Sequence, residues 1–226
     1  LWEPYKEHVL QFMQVSRPLK IVIDASNGCA GKMIPAIFND TEIEIIPLNF
    51  KTGGKFAHPP NPLVEANLKQ LKEAVKKRKA DFGVCFDGDA DRSLAVDRRG
   101  RIVDGDYILY ITAGRLRREG LLSEAKVVGT IMSNLWLEKR QADAGIGLLR
   151  TSVGDKYVLE RMIEDDLVLG GEQSGHVIFR EQATTGDGIL TGLLLLAALQ
   201  DEKKSLESVL DPITPFPQIQ INVRVR

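Results

Sequence analysis

The chain has 226 residues, with 30 basic and 31 acidic side chains and a formal net charge of -1. A charge so close to zero gives no overall attraction to nucleic acid or to an anionic membrane surface, so we expect neither as a partner. The hydrophobic fraction of 43% is ordinary for a globular protein, and the length allows one large domain or two small ones.

The cysteines and the apolar segments indicate the cellular location of the protein. Cys29 and Cys85 are far apart and supply neither a CxxC pair nor a disulfide framework, which predicts a cytoplasmic location. The longest strongly apolar stretch, residues 189–199, is too short to cross a bilayer, and residues 1–12 lack a signal-peptide pattern. Because the sequence has no initiator methionine and no terminating helix or polar tail, we expect a piece of a longer protein.

The first half of the chain alternates between strand and helix patterns. The predicted elements are strands at residues 20–26, 41–48 and 81–86, a strand and turn at residues 92–103, and a helix at residues 59–79. Asn61 is predicted to cap this helix, with Pro62 at its first position. These elements complete a first α/β unit.

The second half repeats this order. The predicted elements are helices at residues 107–118 and 155–164 and strands at 126–131, 145–152, 167–171 and 176–179, the last two forming a hairpin. Asp187 is predicted to cap a further apolar helix. A polar turn at Asp104–Asp106 precedes the first of these helices. We therefore expect an α/β protein with two domains in tandem, residues 1–103 and 104–226.

Three aspartates alternate with small residues directly after a buried strand. Asp87, Asp89 and Asp91 are separated by Gly88 and Ala90, so that their carboxylates can turn toward a single point. Oxygen donors of this kind suit Mg²⁺, and an ion would remove the repulsion that otherwise raises carboxylate pKa values. The spacing predicts a metal site, and a solvated acidic turn is the alternative.

Two other aspartate motifs share part of this pattern. A calcium EF-hand requires glycine at its sixth position and glutamate at its twelfth, where this chain has Arg92 and Arg98, so this motif is excluded. A phosphatase of the haloacid-dehalogenase type would use Asp87 as the nucleophile and Asp89 as the acid. That family favours Thr or Val at the position of Asp91, so a phosphatase of this type is the weaker alternative.

A second polar loop occupies the corresponding place in the second half. Glu172, Ser174 and His176 share two-residue spacing, and a carboxylate, a hydroxyl and an imidazole together suit a ligand with several hydroxyls, such as a sugar. Gly171 and Gly175 permit close approach. The alternative is that His176 is structural and Ser174 serves a turn.

A third candidate lies where a strand passes into a helix at Gly154. Backbone N–H groups at the helix start, with Arg150 and Lys156 beside them, are suited to holding an anion such as phosphate. The alternative is an ordinary helix start with Asp155 as its cap.

The motifs "FDGDADR" and "GGEQSGH" together resemble the α-D-phosphohexomutases, and the likeness extends over nearly the whole chain. The resemblance implies the second and third of four domains, each an α/β/α domain with a mixed sheet. It also implies Mg²⁺ as cofactor and a role for each candidate residue. Those roles are Asp87, Asp89 and Asp91 as metal ligands, Arg92 beside the reacting phosphate, and Glu172, Ser174 and His176 at the sugar hydroxyls.

The activity implied by this resemblance is that of an isomerase that works as an intramolecular phosphotransferase. A phosphoryl group moves between the C1 and C6 oxygens of a hexose phosphate through a phosphoserine and a bisphosphate. The serine-bearing first domain and the fourth domain are not in this sequence, so we expect no turnover from it alone.

The sugar stays open between glucosamine, mannose and glucose phosphates. The stretch from residues 127–134 through 150–160 and 170–176 to 184–190 looks most like phosphoglucosamine mutases, whereas residues 51–62 are closer to the phosphomannomutase and phosphoglucomutase type. The match in the second half favours glucosamine phosphate. A non-catalytic module that binds sugar phosphates is the alternative of a different class.

Overall fold

The computed structural model describes residues 2–13, 17–39, 41–201, 204–219 and 221. Within these ranges the chain forms nine strands and eight α-helices. The strands are β1 (Leu19–Asp24), β2 (Ile43–Leu48), β3 (Phe82–Phe86), β4 (Ser93–Asp97), β5 (Ile102–Val103), β6 (Lys126–Thr130), β7 (Gly147–Thr151), β8 (Leu169–Gly171) and β9 (Val177–Phe179). The helices are α1 (Trp2–Leu10), α2 (Ala30–Phe38), α3 (Lys69–Arg78), α4 (Gly105–Arg118), α5 (Leu135–Asp143), α6 (Asp155–Glu164), α7 (Gly188–Asp201) and α8 (Leu206–Leu210).

The strands form two mixed sheets. The first has the order β2-β1-β3-β4-β5, in which β1 runs parallel to β2 and β3, and β4 is antiparallel to β3 and β5. The second has the order β7-β6-β8-β9, with parallel pairs around β6 and an antiparallel hairpin of β8 and β9. The predicted α/β class with mixed sheets is therefore confirmed, as is the predicted hairpin.

The largest apolar cluster joins the two halves of the chain. α7 carries apolar residues on nearly all sides, and its Ile189 and Leu193 belong to the same buried cluster as Ile21 and Val84 of the first sheet. This burial removes apolar surface of both halves from water at once. At the amino end of α7 the Gly188 N–H donates to the Ala90 carbonyl at 2.8 Å, so this end lies beside the loop between β3 and β4.

The helix predicted at residues 59–79 begins later than expected. Val64 is extended, a 3₁₀ turn covers Glu65–Leu68, and α3 follows it. Asn61 does not cap a helix, because its side chain accepts the Leu63 N–H at 3.1 Å and closes a local turn instead. Pro62 is therefore not the first helical residue.

The sequence patterns missed α1, α2, α5 and α8 but found the start of α7. Asp187 Oδ1 accepts the Leu190 N–H at 2.9 Å, as predicted for a helix cap. In the part of the chain that the structure describes, no helix has the length and apolarity needed to span a membrane. Cys29 and Cys85 are both free thiols.

Leu71 provides a test of how α3 is held on the first sheet. Its side chain is fully buried, and a β-carbon on Gly83 would lie 2.7 Å from its Cδ1, so helix and strand are in close contact. Leu71→Ala should lower the free energy of unfolding by about 2–5 kcal/mol because it leaves a cavity. Urea denaturation measures this, with exposed Glu73→Ala as the control. A loss below about 1 kcal/mol would contradict the packing.

Candidate metal and sugar-phosphate site

The three aspartates lie in a tight hairpin loop, which we call the acid loop (residues 87–92). It joins β3 to β4, whose end residues Phe86 and Ser93 pair in the antiparallel register. Both strands are buried along their whole length, so the loop is fixed at the edge of the first sheet. Ala90 has φ +60, a conformation that costs energy for a residue other than glycine.

The acid loop brings its three carboxylates together. One oxygen from each of Asp87, Asp89 and Asp91 lies within 4.8 Å of the other two. Asp87 is buried, Asp91 is partly buried and Asp89 is exposed, so the cluster opens to solvent on one side. A group of hard oxygen donors with one open side is what Mg²⁺ takes, since it keeps several of its waters.

Burial and the neighbouring carboxylates change the acidity of Asp87. Burial, followed by a hydrogen bond and charge repulsion from Asp91, raises the pKa of Asp87 to about 7. The Arg92 N–H donates to Asp87 Oδ1 at 3.3 Å, and its side-chain Nε lies 3.9 Å from Asp87 Oδ2 and 3.7 Å from Asp91 Oδ1. One arginine does not offset three carboxylates, so the loop fits a further cation.

The second predicted loop packs directly on the acid loop. We call residues 172–176, which join β8 to β9, the Glu172 loop. The Ser93 N–H, just after the acid loop, donates to the Gly175 carbonyl at 3.2 Å. Gly175 has φ +89, and a β-carbon there would lie 2.4 Å from the Ser93 carbonyl oxygen. The chain needs glycine at this point for the two loops to meet.

His176 links the two loops through its side chain. It is buried, and its Nδ1 lies 3.1 Å from Asp91 Oδ2. The Gly186 N–H donates to its Nε2 at 3.0 Å, so Nε2 accepts and Nδ1 carries the hydrogen that it donates to Asp91. Both ring nitrogens are therefore engaged inside the protein, which fits orientation of the Asp91 carboxylate better than contact with a sugar.

The other two predicted site residues of the Glu172 loop, Glu172 and Ser174, differ in their hydrogen-bond partners. Glu172 Oε1 accepts the Gly154 N–H at 2.9 Å, which fixes the carboxylate at the amino end of α6. Ser174 Oγ is buried without a hydrogen-bond partner among the described residues. A buried hydroxyl without a partner is costly, so this oxygen is suited to a ligand.

The predicted anion site at the start of α6 differs from expectation. Gly154 is the helix cap with φ +130, Asp155 makes no capping bond, and the Gly154 N–H is used by Glu172. The Arg150 guanidinium donates to the Thr130 and Ser133 carbonyls and to Glu138, and Lys156 lies 3.7 Å from Glu160. The Asp155 carboxylate lies 4.0 Å from His176 Nε2 instead.

The sequence patterns missed the support under the Glu172 loop. Gln173 Nε2 donates to Asp104 Oδ2 at 3.2 Å, and the Gly105 N–H donates to the Gln173 carbonyl at 3.0 Å. Asp104 also caps α4 by accepting the Asp106 and Tyr107 N–H groups. The short "DGD" turn was the available signal, because two acids around a glycine at a helix start indicate close backbone contact.

A second missed segment precedes α7. Besides the bond from Gly186 to His176, the Gly188 N–H donates to the Ala90 carbonyl at 2.8 Å. A β-carbon on Gly188 would lie 2.7 Å from the Arg92 carbonyl oxygen. The acid loop is therefore held from outside by residues 186–188, and the glycines of "TTGDG" were the available signal.

Two family models match successive parts of the chain. The one described as phosphoglucomutase/phosphomannomutase, alpha/beta/alpha domain II, matches residues 3–100. The one described as alpha/beta/alpha domain III of the same proteins matches residues 104–216. The chain belongs to the phosphoglucomutase/phosphomannomutase family. The resemblance to the phosphohexomutases is thereby confirmed.

Two curated relatives of this chain are named phosphoglucosamine mutase. The phosphoglucosamine mutase of Caldicellulosiruptor bescii is 42% identical over 207 residues, which are 92% of this chain and 46% of the relative. The phosphoglucosamine mutase of Paenarthrobacter aurescens is 46% identical over 206 residues, which are 91% of this chain and 45% of the relative. The chain therefore spans about half the length of these relatives.

Solved structures share the fold. A phosphoglucomutase/phosphomannomutase family protein from Burkholderia thailandensis is 29% identical with a TM-score of 0.86, covering 94% of this chain and 46% of that one. An Aspergillus fumigatus N-acetylphosphoglucosamine mutase, solved with GlcNAc-6P and magnesium, is 20% identical with a TM-score of 0.69. That match covers 96% of this chain and 50% of the other, and it shows the fold alone.

Gly105 should be intolerant of a side chain, unlike Gly114 in the same helix. A β-carbon on Gly105 would lie 1.9 Å from the Glu172 carbonyl oxygen, whereas one on Gly114 would meet Arg118 at an ordinary 3.5 Å. Gly105→Ala should displace the Glu172 loop, seen as large amide shift changes at residues 172–176 in NMR spectra. Gly114→Ala is the control and should raise stability by about 0.5–1 kcal/mol. Unchanged loop signals in Gly105→Ala would contradict the contact.

The buried acids of the "DGD" turn predict a pH dependence. Burial, together with repulsion from Asp106, raises the pKa of Asp104 to about 7. The folded chain thus holds a proton that the unfolded chain releases near pH 4, so unfolding free energy should fall as pH rises from about 4 to about 7. Asp104→Asn keeps a capping oxygen and should flatten this slope. Denaturation curves across that range measure it, and an unchanged slope in the variant would refute the assignment.

Proposed function

We propose that this chain forms the second and third domains, residues 1–103 and 104–226, of a longer phosphohexomutase. In it a phosphoryl group would move between the C1 and C6 oxygens of a hexose phosphate. The observation that carries the proposal is the contact between the acid loop and the Glu172 loop. It consists of the Ser93–Gly175 backbone hydrogen bond and the Asp91–His176 side-chain hydrogen bond. This contact puts oxygen donors for a cation beside groups suited to a sugar.

The acid loop is the proposed magnesium site, with Asp87, Asp89 and Asp91 as ligands. The pKa of Asp87, raised by burial and then by Asp91, is consistent with this, because a bound cation would favour the ionised carboxylate. The His176 N–H would orient Asp91 from behind, as outer-shell partners of metal ligands do. A bound Mg²⁺ would offset negative charge on the transferring phosphoryl group.

Arg92 is the proposed catalytic residue of the acid loop. Its backbone N–H is tied to Asp87, while its side chain is 39% exposed and reaches over both Asp87 and Asp91. A guanidinium in this position is suited to the oxygens of a phosphoryl group, to which it donates from a planar fork. The contribution of this chain is thus positioning and charge, which are the main elements of phosphoryl transfer.

The Glu172 loop is the proposed contact for sugar hydroxyls. Ser174 supplies an unpartnered hydroxyl, and Glu172 has a second carboxylate oxygen besides the one that accepts from Gly154. We assign His176 to the support of this site. Of the residues at the start of α6, Lys156 is the one whose exposed side chain suits the substrate phosphate, because Arg150 is committed to backbone carbonyls.

Glucosamine phosphate is the proposed sugar, supported by the names of the relatives that are 40–46% identical. The phosphoserine that would give and receive the phosphoryl group lies outside these 226 residues, in the proposed first domain. The chain alone should therefore bind without turnover. We also propose a cytoplasmic location, which the two free thiols fit.

Asp89→Asn tests the metal site on this chain. The variant removes one charge from the exposed side of the acid loop without filling it, so magnesium affinity should fall at least about tenfold. Isothermal titration calorimetry measures the change, with Asp143→Asn on the exposed face of α5 as the matched control. Equal affinities for Asp89→Asn and the control would contradict the site.

The reaction is tested on the full-length protein, assayed with the 6-phosphates of glucosamine, mannose and glucose. The proposal expects conversion of glucosamine 6-phosphate to the 1-phosphate, with preference over the other two sugars. Preference for mannose or glucose would overturn the sugar and keep the mutase. Magnesium and sugar-phosphate binding without conversion would instead identify a binding module.

A further inference from the structure

A loop beside the acid loop is held by an unusual set of polar contacts. We call residues 51–60, which follow β2, the wall loop. Its end reaches the acid loop, since a β-carbon on Gly88 would lie 3.8 Å from the Pro60 ring. It carries the exposed Phe56, whose side chain is 50% accessible. An exposed segment with two adjacent glycines needs specific bonds to keep one shape.

Asn27 provides the first set of these bonds. It adopts the left-handed conformation with φ +56 in the turn after β1. Its Nδ2 donates to the Lys51 carbonyl at 2.8 Å, and its Oδ1 accepts the Ala57 N–H at 2.8 Å. One side chain thus closes both ends of the segment 51–57.

His58 provides the second attachment, and its two bonds fix its charge. Its Nδ1 lies 2.9 Å from the Pro59 carbonyl oxygen, and its Nε2 lies 3.0 Å from Asp24 Oδ2. A carbonyl oxygen only accepts hydrogen bonds, and so does a carboxylate that carries its charge, so with such partners both ring nitrogens donate. A histidine that donates from both nitrogens is an imidazolium.

The environment of Asp24 supports this charge. Its side chain is 1% exposed, and its Oδ1 accepts the Ser26 N–H at 2.8 Å and Asn49 Nδ2 at 3.0 Å. A carboxylate so buried needs a cation as partner, and His58 is the cation that contacts it in the described residues.

Three side chains from other elements beside this pair are uncharged. The Cys85 thiol of β3 is neutral, because burial and then the negative charge of Asp24 raise its pKa far above the usual range. Asn49, after β2, and Gln70, on α3, contribute uncharged amides that bond to each other at 3.0 Å. Burial lowers the pKa of His58, but its bonds to Pro59 and Asp24 and the attraction of Asp24 outweigh this, so the pKa is raised.

We propose that His58 is a positioning residue: as an imidazolium clasped between Asp24 and the Pro59 carbonyl, it fixes the wall loop against the acid loop. The charged bond between His58 and Asp24 does not depend on the proposed function, whereas its importance for catalysis rests on that function. Since the folded-state pKa is raised above 6.5, the stabilisation is complete below about pH 6.5 and is lost as pH rises through the folded value.

The spectroscopic test is the protonation of the His58 ring in ¹⁵N-labelled chain, with His58→Gln to assign the signals. The proposal expects both ring nitrogens to carry hydrogen at pH 6.5, where an unperturbed histidine is half-neutral. Asp24→Asn, which removes the carboxylate charge, should lower the midpoint of the His58 titration. A His58 with one bare ring nitrogen below pH 6, or an unchanged midpoint in Asp24→Asn, would overturn the proposal.

The positioning role is tested by hydrogen exchange at the Ala57 amide. Its protection factor should fall at least tenfold in His58→Gln at pH 6, and wild type should show the same loss as pH rises through the His58 midpoint. His8→Gln, in α1, is the matched control and should change neither. Full protection in His58→Gln would overturn the role. These readouts need no turnover, so they can be interpreted even if the mutase assay fails. Likewise, the mutase assay can be interpreted even if His58 proves not to position the wall loop.

Discussion

The crowding of three carboxylates at the tip of one buried hairpin is the constraint on which this structure depends. The buried strands β3 and β4 anchor both ends of the acid loop, and one oxygen from each of Asp87, Asp89 and Asp91 lies within 4.8 Å of the other two. Burial of Asp87, followed by its hydrogen bond to and repulsion from Asp91, raises the pKa of Asp87 to about 7 when no cation is bound. A divalent cation would offset the repulsion more completely than a proton does, because it attracts all three carboxylates at once.

The rest of the site is arranged around this loop by contacts from three directions. The Glu172 loop reaches it through Gly175 and His176, the segment before α7 through Gly188, and the wall loop through Pro60. These contacts come from both halves of the chain, which also share the largest apolar cluster. The burial of α7 on the first sheet and the contact between the Glu172 loop and the acid loop therefore connect the same two halves of the chain.

Local sequence patterns predicted much of the fold and the centre of the site. Strands followed from β-branched runs, and the aspartate cluster followed because alternating acids after a buried strand fall on one loop. The structure adds bonds between residues distant in sequence, such as His176 to Asp91 and Gly154 to Glu172. No spacing rule reveals such pairs. The late start of α3 was missed because extended Val64 interrupts an otherwise helical pattern.

The most direct test of this account is the titration of the Asp87 carboxyl carbon by ¹³C NMR, with and without magnesium. Without the ion the midpoint should lie near 7, where burial and Asp91 place it. With saturating magnesium it should fall by at least about one unit, because the cation favours the ionised form. A midpoint near 3.8 without the ion, or no change on its addition, would contradict a metal site built from these three acids.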